Sequence, residues 1–313
     1  MSVTIIRPKG RAEWLEYRKS GIGSSEVATI VGLNPWETPY QLWRRKIGLD
    51  TPKEENFAMK AGHYLEDAVS LFWQDATGRE VIKRSTGDWI IRSNDRPYIQ
   101  VSPDRTYWLE GMKHNDSNKG ILECKTTQKA IDGDDLPKHW FCQVQYQLGG
   151  AELTHGSIAW LTQGREFGYK DISLVPDFYG WLVEEVEKFW TDNILGRKEP
   201  AAVSVKDVLL KYNRHTAGKI IEVSDDIFNA YNDLKEVKKE LSALDERKTE
   251  LEERIKVCFG DAEAISYGGQ TIATWKSNKD SEKFDAKAFQ TAHPDLAKEF
   301  TNTVAGARIL RLK

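Results

Sequence analysis

Ser102-Pro103-Asp104, then eighteen residues, then Glu123-Cys124-Lys125 is the stretch on which the fold turns. Ile121 to Thr126 reads as a strand, so Glu123 and Lys125 share one face and Cys124 points to the other. If Asp104 ends the neighbouring strand, two carboxylates and an ammonium converge. Hard oxygen ligands of this kind hold Mg2+ or Mn2+, and the backbone carbonyl of Cys124 is a further oxygen within reach. Such a metal stabilises charge on a phosphate and lowers the pKa of a bound water. Lys125 can orient or activate that water, or balance charge in the transition state. The bland alternative is a same-face ion pair on a strand.

The elements around this stretch set its frame. Upstream, Glu13 to Ser20 is helical, Ser24 or Ser25 caps a short helix through Val31, and Thr38-Pro39 opens another. A helix over about 54–76 carries Leu65, Val69, Phe72 and Trp73 on one side, and Gly78 stops it. Val81-Ile82 and Trp89-Ile90-Ile91 flank Thr86-Gly87-Asp88 as a hairpin, followed by a strand from Tyr98 to Ser102. Downstream come a helix from Lys138 to Leu148, strands over Ser157 to Leu161 and Phe167 to Leu174, and an aromatic helix from Asp177 to Ile194. The order predicts an α/β fold, a central mixed sheet flanked by helices.

Three further strings carry chemistry. Met59 to Glu66 places Glu66 one turn after Gly62, and a helical glycine costs about 1 kcal/mol, which predicts a close approach at Gly62. Gln143 and Gln147 lie four apart on one helix face, where amides can hold a water or phosphate oxygen, or bond loop backbone. Trp14 to Val27 joins Arg18 to a glycine-rich turn and to Ser24 and Ser25 at a helix start, a set suited to phosphate. A capped helix with a surface arginine is the bland alternative.

The chain has 313 residues, 40% hydrophobic and 30% charged, with 11 Trp, 11 Tyr and 11 Phe, enough apolar material for a core. No apolar run approaches the roughly 18 residues of a membrane span, and no secretory signal opens the chain. Cys124, Cys142 and Cys258 are too few for a disulfide framework or a four-thiolate metal site. The chain reads as soluble and cytoplasmic. A net charge of -3 argues against a passive nucleic-acid coat but leaves room for an enzyme with a local basic groove.

In order, Trp14-x(3)-Arg18-x(6)-Ser25-Glu26-Val27, Met59-x-x-Gly62-x(3)-Glu66, Pro103-Asp104…Glu123-x-Lys125 and Gln143-Val144-Gln145 resemble phage recombination exonucleases of the lambda exonuclease, or YqaJ-type, group. That group lies within the PD-(D/E)XK nuclease superfamily, and the resemblance covers about residues 10–195. It implies a phage- or prophage-encoded exonuclease that digests one strand of linear double-stranded DNA from the 5′ end. Two Mg2+ ions per site, with Mn2+ as a substitute, a ring-shaped homo-oligomer, commonly a trimer, and a single-strand annealing protein as partner come with the resemblance. It assigns metal binding to Glu66, Asp104, Glu123 and the Cys124 carbonyl, catalysis to Lys125, and water positioning to Gln143. Arg18, Ser25, Ser24 and Trp14 fall to the phosphate, with Lys129 the basic residue nearest in place to the family's downstream contact. Trp140 stands where the family commonly has a tyrosine. A ring could line its channel with Arg44, Arg45 and Lys46, or with Lys83 and Arg84. Two other readings stay open: a structure-selective or site-specific endonuclease on the same fold, and a non-catalytic DNA-end-binding scaffold.

Composition loosens around residues 196–212, which places the nuclease domain at 1–215 and a second domain at 216–313. Heptads run through Ile227, Leu234, Leu241, Lys248 and Ile255, with Ala230, Val237, Leu244, Leu251 and Cys258 three residues later, predicting one helix over about 224–259. Charges flank the seam in mixed sign and leave its partner open: the chain's last fifty residues, a neighbouring subunit or a recombination protein. A hairpin over Ala264 to Trp275, turning at Gly268-Gly269, and a helix from Asp285 to Ala292 complete the chain.

Overall fold

A computed structural model describes residues 3–50, 56–82, 89–112, 114–115, 118–304 and 306–312. The chain divides into two units, Met1–Tyr212 and Asn213–Lys313.

The first unit holds two four-stranded sheets. One is formed by β1 (Val3–Ile6), β2 (Ile22–Gly23), β3 (Ile90–Ser93) and β4 (Ile99–Val101), in the order β1-β3-β4-β2. The other is formed by β5 (Arg105–Trp108), β6 (Lys119–Thr127), β7 (His155–Thr162) and β8 (Glu166–Ser173), in chain order. Here β5 and β6 run antiparallel, β6 and β7 parallel, and β7 and β8 antiparallel. The helices are α1 (Arg11–Lys19), α2 (Ser24–Ile30), α3 (Pro39–Lys46), α4 (Phe57–Thr77), α5 (Lys138–Gly150), α6 (Pro176–Lys188), which runs on as π-helical turns over Phe189–Leu195, and α7 (Val205–Lys211).

Strand alternation on β6 sorts the packing. Ile121 joins a core with Val144, Tyr146 and Leu148 of α5 and Leu182 and Val186 of α6. Leu122 and Cys124 join Val69 and Trp73 of α4 on the opposite face. The second sheet is thus covered on both sides, as an α/β layering requires. Asn56 caps α4 by accepting from Met59 N, and Gly78 closes it in the left-handed region at φ 69°. Fully buried Trp73 packs on the Tyr107 ring at 4.7 Å between centroids and donates from Nε1 to Ser157 Oγ at 2.9 Å.

The mixed sheet with flanking helices is present, but as two sheets, and the expected hairpin does not form. Val81 bridges Tyr107 and Ile82 N donates to Thr106 O, so this segment edges the second sheet, whereas Trp89 leads into β3 of the first. Alternation marks a strand without choosing its partner. The turn at Thr86-Gly87-Asp88, with Lys83 and Arg84, lies outside the described residues, as do residues 51–55 of the expected helix start. On α4 the buried stripe is Val69, Ser70 and Trp73, while Leu65 and Phe72 stay exposed. Short strands β1, β2 and β5 and helix α7 were not anticipated.

In the second unit, α8 (Asp225–Val257) follows Ser224 and buries no residue. β9 (Ala264–Tyr267) and β10 (Gln270–Thr274) pair antiparallel through Gly268 and Gly269, whose φ values of 57° and 78° suit glycine. Asp285 caps α9 (Ala286–Ala292), and α10 (Pro294–Glu299) follows. Among the described residues no helix is long and apolar enough to cross a membrane.

Trp73 joins helix α4 to the second sheet, so Trp73→Ala is expected to cost about 3–5 kcal/mol. Urea denaturation of the two proteins, compared at equal slope, measures it.

Candidate active site

Glu123 sits at the centre of the site and is 2% exposed. A buried carboxylate is costly unless donors surround it. Here Oε1 accepts from Lys125 Nζ at 2.6 Å and from Gln143 Nε2, and Oε2 accepts from Gln147 Nε2 at 2.8 Å. Lys125 also donates to Gln143 Oε1 at 3.0 Å. The four-residue spacing of the glutamines therefore serves one carboxylate, and it is Gln145, on the other face, that binds loop backbone at Ser173 O and Val175 N.

Asp104 stands just before β5, where its Oδ2 accepts from Cys124 N at 2.7 Å and staples the strand start to β6. Burial and then the Glu123 and Glu66 carboxylates push Asp104 well above the ordinary carboxylate range, against Lys125 and the Cys124 N–H. Glu66 is raised mainly by burial, with Glu123 adding to it and His63 and Arg105 opposing. Burial works to lower Lys125, but Glu123 and Asp104 outweigh it and raise the ammonium's pKa, so the lysine is a donor. Burial pushes the Cys124 thiol up on the α4 side.

Two residues not singled out from sequence belong to this cluster. Arg105 donates to Asp104 O and to Asp67 Oδ1, both at 2.6 Å, and lies 4.0 Å from Glu66 Oε2. His63 Nδ1 lies 3.0 Å from Glu66 Oε1. The i,i+3 spacing of His63 and Glu66 was a legible signal; nothing periodic marked Arg105. The carboxylates are close enough to perturb one another, yet among the described residues no three His, Cys, Asp or Glu groups stand as a ready metal cage. Glu66, Asp104 and Glu123, the expected metal ligands, are engaged within the chain. Asp104 and Glu123 each accept from a donor of the chain, and Glu66 is turned to His63.

A second cluster adjoins the first. Gln147 Nε2 reaches Ser24 Oγ at 3.3 Å as well as Glu123. On the next residue, Ser25 Oγ accepts from Arg18 NH2 at 3.2 Å, and the guanidinium lies 5.2 Å from the Trp14 ring centroid. Gly23 makes this possible, because a Cβ there would stand 2.1 Å from Arg18 NH1. Gly23 is the cap of α2, so Ser24 and Ser25 are its first residues instead of its caps. Buried Glu26 anchors the cluster through Lys46 at 2.8 Å, Arg45 at 3.0 Å, Arg18 at 3.6 Å and Gly23 N at 2.8 Å.

That anchoring corrects the expected channel lining. Lys46 is enclosed, donating to Arg18 O and Gly21 O, while Arg45 also pairs with Glu37 and Arg44 with Asp50. These cations neutralise carboxylates of their own subunit. Gly62 is corrected too: a Cβ there would meet only Thr126 Oγ1, at 3.9 Å. Lys129 is exposed past the end of β6, with its backbone bonded to the Thr127 hydroxyl. Trp140, on α5, is buried in the core.

A family model described as a YqaJ-like viral recombinase domain matches residues 13–154, which contain both clusters. YqaJ of Bacillus subtilis (strain 168) is 30% identical over 297 residues, covering 91% of this chain and 89% of that protein. The chain belongs to the YqaJ-like viral recombinase family. Protein R354 of Acanthamoeba polyphaga mimivirus is 24% identical over 157 residues, 45% of this chain and 27% of its own length. Among solved structures, the alkaline exonuclease LHK-Exo from Laribacter hongkongensis superposes with a TM-score of 0.46 at 17% identity, over 60% of this chain and 97% of its own. A phage-related exonuclease from Haemophilus somnus 129PT gives 0.41 at 12%, over 57% and 96%.

Burial works to raise Glu26, but Lys46, Arg18 and Arg45 outweigh it and hold the carboxyl well below its ordinary value of 4.5. The folded chain thus binds this proton more weakly than the unfolded chain, and the stability it contributes is present above pH 4.5 and lost below. Glu26→Gln is expected to destabilise by about 3–5 kcal/mol at pH 7. The gap should shrink as pH falls through 4.5, measured by urea denaturation across pH.

Proposed function

We propose that this chain is a metal-dependent deoxyribonuclease that digests linear double-stranded DNA from its ends, in the 5′ to 3′ direction, supplying single strands for phage-type recombination. The observation that carries the reading is the junction at Gln147, which joins the buried Glu123–Lys125 pair to the Ser24–Ser25–Arg18 cluster. A scissile phosphodiester at the first and a terminal phosphate at the second could then be bound by adjoining residues. Membership of a viral recombinase family supports the biological setting.

The donor set fits a hard divalent cation, Mg2+ or Mn2+, because crowded carboxylates with raised pKa values would be relieved by positive charge. Asp104, Glu123 and the Cys124 carbonyl would hold it, with Glu66 serving the same centre. When bound, it would supply Lewis-acid stabilisation of the phosphate and a more acidic water. Lys125, kept protonated by Glu123 and Asp104, would steady negative charge instead of removing a proton. Gln143, fixed by both Glu123 and Lys125, would orient the attacking water. Arg105 would hold the Asp104 backbone and His63 the Glu66 carboxylate in place.

Digestion of duplex DNA labelled at either end tests this reading. It should require Mg2+ or Mn2+, and Asp104→Asn and Lys125→Met should each lose at least about 100-fold in rate while keeping their circular dichroism. Near-normal turnover by Lys125→Met would remove the assignment.

The terminal-phosphate reading has its own test. Arg18→Ala and Gly23→Ala should abolish the preference for a 5′-phosphorylated over a 5′-hydroxyl end. Gly23→Ala acts by displacing the guanidinium without removing it. Unchanged preference in both variants would mean the phosphate binds elsewhere.

A further inference from the structure

Helix α8 is 33 residues long, on the order of 50 Å, and none of its residues is buried. Its seam is open along its length: Ile227, Leu234, Val237, Leu241, Leu244, Leu251 and Ile255 are all exposed. The chain's last fifty residues form β9, β10, α9 and α10 without covering it, so that expected occupant is set aside. An apolar seam on a lone helix has strong reason to pair, and the charges beside it decide with what.

We propose that α8 pairs with α8 of a second copy of this chain as an antiparallel coiled coil. Three observations select the occupant and its direction. The first is Lys248, in a seam position otherwise filled by Ile227, Leu234, Leu241 and Ile255. A parallel in-register pair would set Lys248 against Lys248 inside the seam. An antiparallel pair centred between Leu241 and Leu244 sets it against Val237, where it keeps Glu252, 3.8 Å away on its own helix.

The second is the flank preceding the first seam position. It reads Asp226, Asp233, Glu240, Arg247, Arg254, acidic in its first half and basic in its second. In antiparallel pairing this flank meets its own copy reversed, so Asp226 faces Arg254 and Asp233 faces Arg247. Glu240 lies near the two-fold axis with Arg247 of the second copy one turn away. The third is the other flank, Tyr231, Lys238, Asp245 and Glu252, which reversed brings Lys238 to Glu252 and leaves Asp245 near the two-fold axis. Parallel pairing also gains Asp233 with Lys238 and Arg247 with Glu252, but it opposes Glu240 to Asp245 and retains the lysine clash. Flanking charges of this kind set orientation as well as partner.

The consequence is a dimer of catalytic chains joined tail to tail, with the two copies of α8 entering from opposite ends. Ile227 of one copy would lie by Cys258 of the other, and the two Cys258 thiols would stand a helix length apart.

Light scattering on the full chain and its α8 variants decides the matter. Leu241→Asp with Leu244→Asp should halve the mass of the full chain. A mass equal to wild type would overturn the pairing. Orientation is read from two charge variants, Arg247→Glu with Arg254→Glu, and Asp233→Arg with Glu240→Arg. Each alone should fall to half the wild-type mass, and an equimolar mixture should return to the full mass, because the altered flanks are complementary only when antiparallel. A mixture that stays at half mass, or wild-type chains that readily form a Cys258–Cys258 disulfide, would overturn the antiparallel arrangement.

Discussion

The buried carboxylate of Glu123 is the constraint to which the first unit answers. Removing such a charge from water costs several kcal/mol, recovered only if its oxygens are fully engaged. The chain meets that demand from two elements at once, with Lys125 two residues along the same strand and Gln143 and Gln147 a turn apart on α5. Helix α5 must therefore lie over the odd-numbered face of β6, and Ile121 and its apolar neighbours there supply the packing that keeps it in place. The even-numbered face is left to α4, whose Val69 and Trp73 close the other side. Asp104 is then drawn in by the Cys124 N–H, which makes the order of β5 and β6 part of the same arrangement.

Glu26 is a second buried carboxylate with a contrasting environment. It is surrounded by Lys46, Arg45 and Arg18 and held ionised, so its surplus is positive. Around Asp104 and Glu66 the surplus is negative, and their protons are held more tightly than usual. Two adjoining clusters of opposite sign suit a ligand that carries phosphate and a cation together, which is the physical content of the proposed nuclease reading. Gly23 sits at their border, and its missing side chain is the space the Arg18 guanidinium occupies.

Much of this was legible in the sequence because it depends on short-range spacing. Alternation on β6 separates Glu123 and Lys125 from Cys124, and the four-residue step of Gln143 and Gln147 puts both amides on one side. The Thr38 cap and Gly78 also depend on local chemistry, as do the long α8 and the β9–β10 turn. What was not legible required knowledge of partners distant in the chain. Val81 pairs with Tyr107 instead of the strand after the next turn, and β1 pairs with β3 some ninety residues on. The basic run Arg44 to Lys46 looks like a surface patch until Glu26, Glu37 and Asp50 are brought beside it. Arg105 follows a motif without belonging to its pattern, and only the fold reveals that it bridges Asp104 and Asp67.

The central claim is that the crowded carboxylates are a cation site and not only a buried ion-pair network. Calorimetric titration of the DNA-free protein with Mn2+ tests it without relying on turnover. The account requires saturable binding that Asp104→Asn abolishes and Arg18→Ala leaves intact, since Arg18 belongs to the neighbouring cluster. Binding by Asp104→Asn as tight as by the wild-type chain, or no binding by the wild-type chain at all, would contradict it.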